Sequence, residues 1–309
     1  MDPTHTPVLL EAVLRSFEGV LLPVFVDGTV GAGGHSAAIL DKHPEIQQFV
    51  GLDQDPTAVA ISRRRLEPWS QKVTLIHENF ANFDIHLKRS NIEGIDGMLL
   101  DLGVSSMQLK TPERGFSFSQ EGPLDMRMDP TTSITAADII NTWSERDLAL
   151  LFRDSGEEKQ WRRAAKSVVK ARQKGPIMTT SKLVEILLPV LKIKKKAIHP
   201  LTLVFQALRI CVNQELVKLE QVLPKAINRL RKGGRLAVIS FHSLEDRMVK
   251  NVFRYAASDK ESTSGIGGVF LSKEPEVRLI TKKPAIPTDL EVASNPRSRS
   301  AKLRVVEKL

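Results

Sequence analysis

Short apolar runs alternate with amphipathic segments over much of this chain of 309 residues. Runs of strand length occur in PVFVDG, QFVGLDQD, KVTLIHENF and GIDGMLLDLGVSS, and again in GGRLAVISFHS, EVRLITKK and SAKLRVVEKL. Helical segments such as PTAVAISRRRLEPW and LEDRMVKNVFRYAA separate several of these runs. Continuous apolar strands that alternate with helices are typical of a parallel sheet covered on both faces. The pattern therefore predicts an α/β fold.

The middle of the chain lacks strand signals and carries helical periodicity, for example in SERDLALLFRDSG and EEKQWRRAAKSVVKARQKG. We therefore predict a small all-helical domain at 131–200, inserted between two parts of the α/β domain, 1–130 and 201–309. The periodicity after the insertion predicts one long helix from about Thr202 to Arg231, with a kink at Pro224.

Composition adds constraints on partners and location. Lys and Arg exceed Asp and Glu by 45 − 36 = 9, which favours a polyanionic partner, although a solvated basic surface gives the same count. A single cysteine, Cys211, allows no intrachain disulfide and suits a reducing compartment. The chain has no signal-peptide pattern, no apolar run long enough to span a membrane and no metal-ligand spacing. We expect a cytoplasmic protein without a membrane partner or a metal.

The segment VFVDGTVGAGGHSAAIL places a glycine-rich turn between a strand and a helix, an arrangement that suits a nucleotide-like ligand. It lacks the Lys of a phosphate-binding P-loop, and Ser36 replaces the third Gly of the dinucleotide fingerprint. Asp53 ends the next strand, 20 residues after Gly33, where a carboxylate accepts hydrogen bonds from ribose hydroxyls. Together with Phe80 and Asp101 after later strands, this order favours S-adenosylmethionine over NAD.

Longer motifs extend over almost the whole chain: HTPVLL, VDGTVGAGGHS, DLGVSSMQL, RGFSF, GPLDMRMD, FQALRICVNQEL, ISFHSLEDRMVK and RSAKLRVVEKL. They resemble the motifs of the RsmH (MraW) family of bacterial S-adenosylmethionine-dependent methyltransferases. The resemblance implies a class I, Rossmann-like methyltransferase sheet with an inserted small all-helical domain. It also implies methylation of N4 of a cytosine in the decoding region of 16S rRNA, with the small ribosomal subunit as the partner.

The same resemblance implies a cofactor site. Its residues would be Gly33, Gly34, His35, Asp53, Phe80, Asp101 and Gln108. Met107 and Lys110 depart from residues common in the family, which leaves the placement of Gln108 open. For Asp101 we consider two compatible roles, acceptance of the N4 proton during transfer and binding of the cofactor alone.

Candidate RNA contacts each have a structural alternative. Arg114 and Phe116 in ERGFSFS suit a loop that clamps phosphate and stacks on a base, but alternating phenylalanines also suit a buried face. His242 either shapes the acceptor pocket or caps a helix. The basic runs KIKKK (192–196) and NPRSRSAKLR are candidate phosphate contacts or solvated surface.

Three other functions compete with an rRNA methyltransferase. A nicotinamide-dependent oxidoreductase is disfavoured by Ser36. A non-enzymatic RNA-binding assembly factor would keep the fold without methyl transfer, and a DNA amino-methyltransferase would share both the fold and the charge.

Overall fold

The structure, a computed structural model, describes residues 7–191, 199–262 and 270–309. The chain divides into two compact units. The sheet unit comprises the chain up to Gly103 together with Val217–Leu309, and the helical unit comprises Val104–Leu216. The predicted insertion at 131–200 lies inside the helical unit, which is longer at both ends.

The strands of the described residues are β1 (Val24–Asp27), β2 (Gln48–Asp53), β3 (Val73–His77), β4 (Ile95–Asp101), β5 (Leu230–Ser240), β6 (Lys260–Ser262), β7 (Phe270–Ser272), β8 (Val277–Leu279) and β9 (Lys302–Lys308). Seven of them form one sheet with the order β3-β2-β1-β4-β5-β9-β8, while β6 and β7 pair separately. Strands β1 to β5 are parallel, and β9 runs antiparallel to both β5 and β8. The predicted α/β fold with a Rossmann-like parallel sheet is confirmed.

The α-helices are α1 (Leu10–Ser16), α2 (Gly34–Lys42), α3 (Pro56–Arg65), α4 (Phe83–Arg89), α5 (Ser106–Lys110), α6 (Ala136–Thr142), α7 (Glu145–Asp154), α8 (Trp161–Arg172), α9 (Thr180–Leu187), α10 (Leu201–Asn213), α11 (Glu215–Arg229), α12 (Ser243–Ala256) and α13 (Asp289–Ser294). Local sequence explains several starts. Pro56 opens α3 behind an Asp55 cap, and Ser144 caps α7 by accepting a bond from the Asp147 amide.

Side chains of the central strands alternate between two apolar layers. In β4, Met98 and Leu100 pack into one layer and Leu99 into the other. In β5, Val238 belongs to the first layer and Ile239 to the second. Both faces of the sheet are therefore buried, as the continuous apolar runs predict.

The helical unit has an apolar core of its own. Residues before the predicted insertion, including Leu124, Met126 and Met128, belong to this core together with residues of α6 to α10. This burial explains why the unit begins earlier than residue 131.

The predicted long helix from Thr202 to Arg231 is wrong, because Gln214 interrupts it. Gln214 has φ 53° and ψ 35°, a left-handed conformation that separates α10 from α11. The preceding Asn213 turns its amide inward: Oδ1 accepts from Met128 N (2.7 Å), and Nδ2 donates to Met126 O (2.8 Å). Pro224 lies inside α11, and β5 begins at Leu230.

Among the described residues, none of the helices combines the length and apolar character required to cross a membrane.

Replacing Asn213 by Ala tests this anchor. Loss of the amide leaves a buried N–H and a buried C=O without their partner, so we expect the free energy of unfolding to fall by about 2–4 kcal/mol. Chemical denaturation measures the change. Asn251→Ala, at an exposed position of α12, is the control and should change stability by less than about 0.5 kcal/mol. Equal effects of the two substitutions would contradict the anchoring role.

Candidate functional site

Three carboxylates end three neighbouring parallel strands. Asp27, Asp53 and Asp101 are the last residues of β1, β2 and β4. Strand order reverses between β1 and β4, since β2 and β3 lie on one side of β1 and β4 on the other. In parallel α/β sheets, ligands bind beyond the carboxyl ends at this reversal. The sheet therefore places the three side chains where a ligand site is expected.

The glycine-rich turn runs across the ends of these strands and is fixed by backbone bonds. Gly28 N donates to Leu99 O (2.9 Å), and Val30 N donates to Leu52 O (2.9 Å). The turn then leads through Gly33, which has φ 76° and is the N-cap of α2. This left-handed conformation favours glycine, which explains its use at the turn.

The glycines differ in how much space surrounds them. A Cβ added to Gly28 would lie 2.5 Å from Leu100 Cδ2, and one on Gly34 would lie 2.6 Å from Pro7 Cγ. A Cβ on Gly31 would meet nothing closer than Thr29 O at 3.8 Å. Packing thus explains Gly28 and Gly34, whereas the space beside Gly31 is open to a ligand.

Asp27 is buried and structural in its contacts. Ser36 Oγ donates to its Oδ2 (2.6 Å), and Thr29 N donates to its Oδ1 (3.0 Å). Burial raises the pKa of Asp27 to about 6, although both hydrogen bonds oppose the shift. The carboxylate therefore links β1 to α2.

Asp53 uses its two oxygens to hold two backbone segments. Oδ2 accepts from Gly31 N (2.8 Å), and Oδ1 accepts from Asp55 N (2.8 Å). Burial raises the pKa of Asp53 to about 6, with smaller contributions from the charges of Asp55 and Asp27. Each carboxylate oxygen has further lone pairs, so Asp53 can accept additional bonds from hydroxyl donors.

Asp101 lies beside His35, with Oδ2 3.5 Å from Nδ1. His35 Nε2 lies 2.9 Å from Val8 O, and because a carbonyl only accepts, Nε2 carries a proton. Nδ1 of a neutral His35 then presents a lone pair to Asp101. A proton between Nδ1 and the carboxylate removes this repulsion, whether it is held by the ring or by Asp101.

The other oxygen of Asp101, Oδ1, is buried and has no hydrogen-bond partner in the part of the chain that the structure describes. Burial, followed by the negative charges of Asp27 and Glu245, raises the pKa of Asp101 well above its ordinary value. An unsatisfied buried carboxylate oxygen is costly, and a donor or cation supplied by a ligand would satisfy it.

Phe80 lies close to the start of the glycine turn. A Cβ on Gly28 would be 3.1 Å from Phe80 Cβ, and the half-buried ring packs against the layer formed by β1 and β4. The preceding Asn79 caps the turn that contains Phe80, since Oδ1 accepts from Ala81 N. Its Nδ2 donates to Gln54 Oε1 (2.8 Å), so Asn79 also ties β3 to the end of β2.

His242 acts as a helix cap. Its Nδ1 accepts from Glu245 N, while Glu245 Oε2 accepts from His242 N (3.4 Å), which completes a capping box at the start of α12. The same Oε2 also accepts from Phe241 N (2.8 Å). This geometry supports the capping alternative for His242. Glu245 is 2% exposed, and its charge acts on Asp101 across the end of the sheet.

Gln108, Arg114 and Phe116 belong to the helical unit. The Gln108 amide oxygen accepts from Ser105 N (3.0 Å) in a capping box that starts α5. Arg114 Nη2 donates to the carbonyls of Arg127 and Met128. Phe116 is 6% exposed in the core of the unit. Its ring is packed against other apolar side chains, which supports the buried-face alternative for Phe116 over the stacking role.

The candidate phosphate contacts divide into two cases. The run at 192–196 lies outside the described residues. Near the carboxyl terminus, Lys302 Nζ and Arg304 Nε lie 3.1 and 2.7 Å from carboxylate oxygens of Asp246. This ion-pair group joins α12 to β9, so these two cations serve packing within the sheet unit.

Sequence reasoning missed two residues near the site, Thr29 in the glycine turn and Gln54 after β2. Thr29 Oγ1 accepts from Asp101 N (2.6 Å), which couples the glycine turn to the end of β4. Gln54 bonds Asn79 by its side chain and His77 by its carbonyl. Gln54 directly follows Asp53 and Thr29 is two residues after Asp27, so proximity to strand-ending aspartates was the available signal.

The whole chain is similar to proteins of one family. A sequence model described as the MraW methylase family matches residues 2–309. A relative from Protochlamydia amoebophila, named Ribosomal RNA small subunit methyltransferase H, is 58% identical over 307 residues, covering 99% of this chain and 97% of the relative. A relative of the same name from Citrifermentans bemidjiense is 46% identical over 311 residues, covering 100% and 99%.

Solved structures give weaker similarity. A putative rRNA-methylase from Clostridium thermocellum has a TM-score of 0.46 and 12% identity, covering 99% of this chain and 100% of that chain. The family assignment therefore rests on the sequence matches, which extend over almost the whole chain. The chain therefore belongs to the MraW methylase family and is an S-adenosylmethionine-dependent methyltransferase.

Proposed function

We propose that this methyltransferase acts on small-subunit ribosomal RNA and that its acceptor is the exocyclic N4 amine of a cytosine. The observation that carries the substrate class is the near-full-length similarity to relatives named for small-subunit rRNA methylation. The choice of cytosine N4 rests on the motifs of the family, among them DLGVSSMQL and GPLDMRMD.

The end of the sheet fits the proposed cofactor. In this proposal Asp53 accepts bonds from the ribose hydroxyls while it keeps Gly31 and Asp55 in place. Phe80 flanks the adenine, and the open space beside Gly31 receives the ligand. Gly33, Gly34 and His35 line the approach from the start of α2. Gln108 is proposed as a cofactor contact on the resemblance of its motif DLGVSSMQL alone.

Asp101 is the proposed proton acceptor. Bound S-adenosylmethionine supplies a methyl group that is already activated by its positive sulfonium. The N4 lone pair of cytosine is delocalised into the ring, so the protein must align the amine and accept its proton. The unpartnered Oδ1 of Asp101 is suited to accept a hydrogen bond from N4–H, and His35 beside Oδ2 holds the carboxylate in place.

An end-point assay tests the function. Purified protein and S-adenosylmethionine labelled in its methyl group are incubated with undermethylated small subunits, naked 16S rRNA or duplex DNA. We expect N4-methylcytidine after digestion of the subunit RNA. Label in DNA alone would favour a DNA amino-methyltransferase. Cofactor binding without transfer to any substrate would favour an assembly factor.

Replacing Asp53 by Ala should weaken cofactor binding by about tenfold to a hundredfold, because charge-assisted hydrogen bonds contribute roughly 1.5–3 kcal/mol. Calorimetric titration measures the dissociation constant of the cofactor. Asp53→Asn keeps one acceptor oxygen, so its dissociation constant should lie between those of the wild type and of Asp53→Ala. Asp41→Ala on the exposed surface of α2 is the control. An unchanged dissociation constant in Asp53→Ala would remove Asp53 from the site.

Replacing Asp101 by Asn should lower kcat by about 10²- to 10³-fold, the range of a lost proton acceptor. The RNA dissociation constant should stay within about twofold of the wild type. Single-turnover methylation and RNA binding are measured on the same preparations, with Asp41→Asn as the control. Equal losses of turnover and of cofactor binding would leave Asp101 with a binding role alone.

The raised carboxylate pKa values predict proton release when the cationic cofactor binds. Asp27 and Asp53, with pKa values of about 6, are partly protonated near that pH, and a positive ligand favours their ionised forms. Affinity should therefore fall as the pH drops from about 7.5 to 5.

Calorimetry near pH 6 in two buffers of different ionisation enthalpy measures the released protons. Release should be smaller with S-adenosylhomocysteine, which lacks the sulfonium charge. Affinity that is independent of pH over this range, or proton uptake, would contradict the prediction.

A further inference from the structure

One face of α8 carries a stripe of cations. The exposed basic residues of this helix are Arg162, Arg163, Lys166 and Lys170, and Lys174 follows its end. From Lys159 to Lys182 the sequence contains no Asp or Glu. The segment is therefore a local concentration of positive charge in the helical unit.

Packing fixes the direction of this face. Ala164, Ala165 and Val168 are 0% exposed and belong to the core of the helical unit. At 100° per residue, the four cations of α8 occupy an arc of about 100° on the opposite side. Arg172 lies on the core side, where Nη1 donates to Ile140 O (2.7 Å). The stripe consequently points away from the core of its own unit.

The stripe is not neutralised within the described ranges 7–191, 199–262 and 270–309. Arg153 pairs with Asp154 and Lys182 pairs with Glu185, but none of the five stripe cations forms an ion pair there. Arg162 lies over the Trp161 ring at 4.1 Å, which orders its guanidinium. Like charges four residues apart repel one another, so the bare stripe opposes the helix that carries it.

We propose that the α8 stripe binds the sugar–phosphate backbone of the substrate RNA. This inference rests on the proposed function and adds a contact surface to it. Successive cations at 162, 166 and 170 rise by about 6 Å each and extend about 12 Å along the helix, enough to face more than one phosphate of a strand. Phosphate contacts position an RNA without reading its sequence, so the stripe contributes affinity and orientation.

A triple substitution in the full chain tests the proposal. Arg162→Gln, Lys166→Gln and Lys170→Gln together remove three charges, and Gln keeps a high helix propensity. A matched control, Lys88→Gln, Arg89→Gln and Lys232→Gln, removes three exposed charges from the sheet unit. These residues lie close to the starts of β4 and β5, whereas the candidate site lies at the ends of the strands. Thermal unfolding and cofactor titration verify that both proteins are folded.

Binding of a fluorescent single-stranded 16S rRNA transcript is measured over a series of salt concentrations. The slope of log K against log salt should become shallower by about 2 in the stripe variant, since each lost phosphate contact contributes roughly 0.7. RNA affinity near 0.1 M salt should fall by at least tenfold, with the cofactor dissociation constant unchanged. The control should retain the wild-type slope and affinity.

Three outcomes would overturn the proposal. The first is a stripe variant that matches the control in slope and affinity while wild-type protein methylates RNA, which refutes the stripe and leaves the function intact. The second is loss of binding to phosphatidylserine vesicles without loss of RNA binding, which assigns the stripe to a lipid surface. The third is wild-type protein that methylates no RNA, which refutes the proposed function itself.

The double variant Lys166→Gln and Lys170→Gln keeps Arg162 stacked over the Trp161 ring. It removes two of the three charges, so the slope of log K against log salt should change by about two thirds as much as in the triple variant.

Discussion

Parallel pairing of β1, β2 and β4 forces the side chains of Asp27, Asp53 and Asp101 to one edge of the sheet. Burial raises the pKa of all three carboxylates, and the negative charge of Asp27 adds to the shifts of Asp53 and Asp101. Backbone amides of the glycine turn and the Ser36 hydroxyl offset part of these shifts. Among these three carboxylates, the oxygen left unsatisfied within the described residues is Oδ1 of Asp101, and a ligand that brings a hydrogen-bond donor or a positive charge would stabilise this edge.

The two units differ in the chemical groups that they bring together and expose. The sheet unit gathers acidic groups and backbone donors around a small space at the strand ends. The helical unit buries its apolar residues, including Phe116, and turns basic residues of α8 outward. The two units therefore present groups of opposite charge, with carboxylates at the strand ends of the sheet unit and exposed cations along α8 of the helical unit.

Sequence patterns were sufficient to predict the sheet, because continuous apolar runs indicate strands that are buried on both faces. They were also sufficient for helix starts such as Asp55-Pro56, which depend on local sequence. They failed at Gln214, since its left-handed conformation follows from the inward turn of Asn213 toward Met126 and Met128, which are distant in sequence. They left two alternatives open for Phe116, because its burial depends on the whole helical core. The contact between His35 and Asp101 arises from pairing of β1 with β4, which a motif does not encode.

Strands β4 and β5 pair side by side, although the entire helical unit lies between them in the chain. During vectorial synthesis, β1 to β4 leave the ribosome before the strand that must cover their edge exists. The helical unit is continuous in sequence and has its own core, so it can become compact before β5 is available to pair with β4. For that interval the uncovered edge of β4 is a site for mispairing, and the order of translation becomes part of how this enzyme reaches its native state.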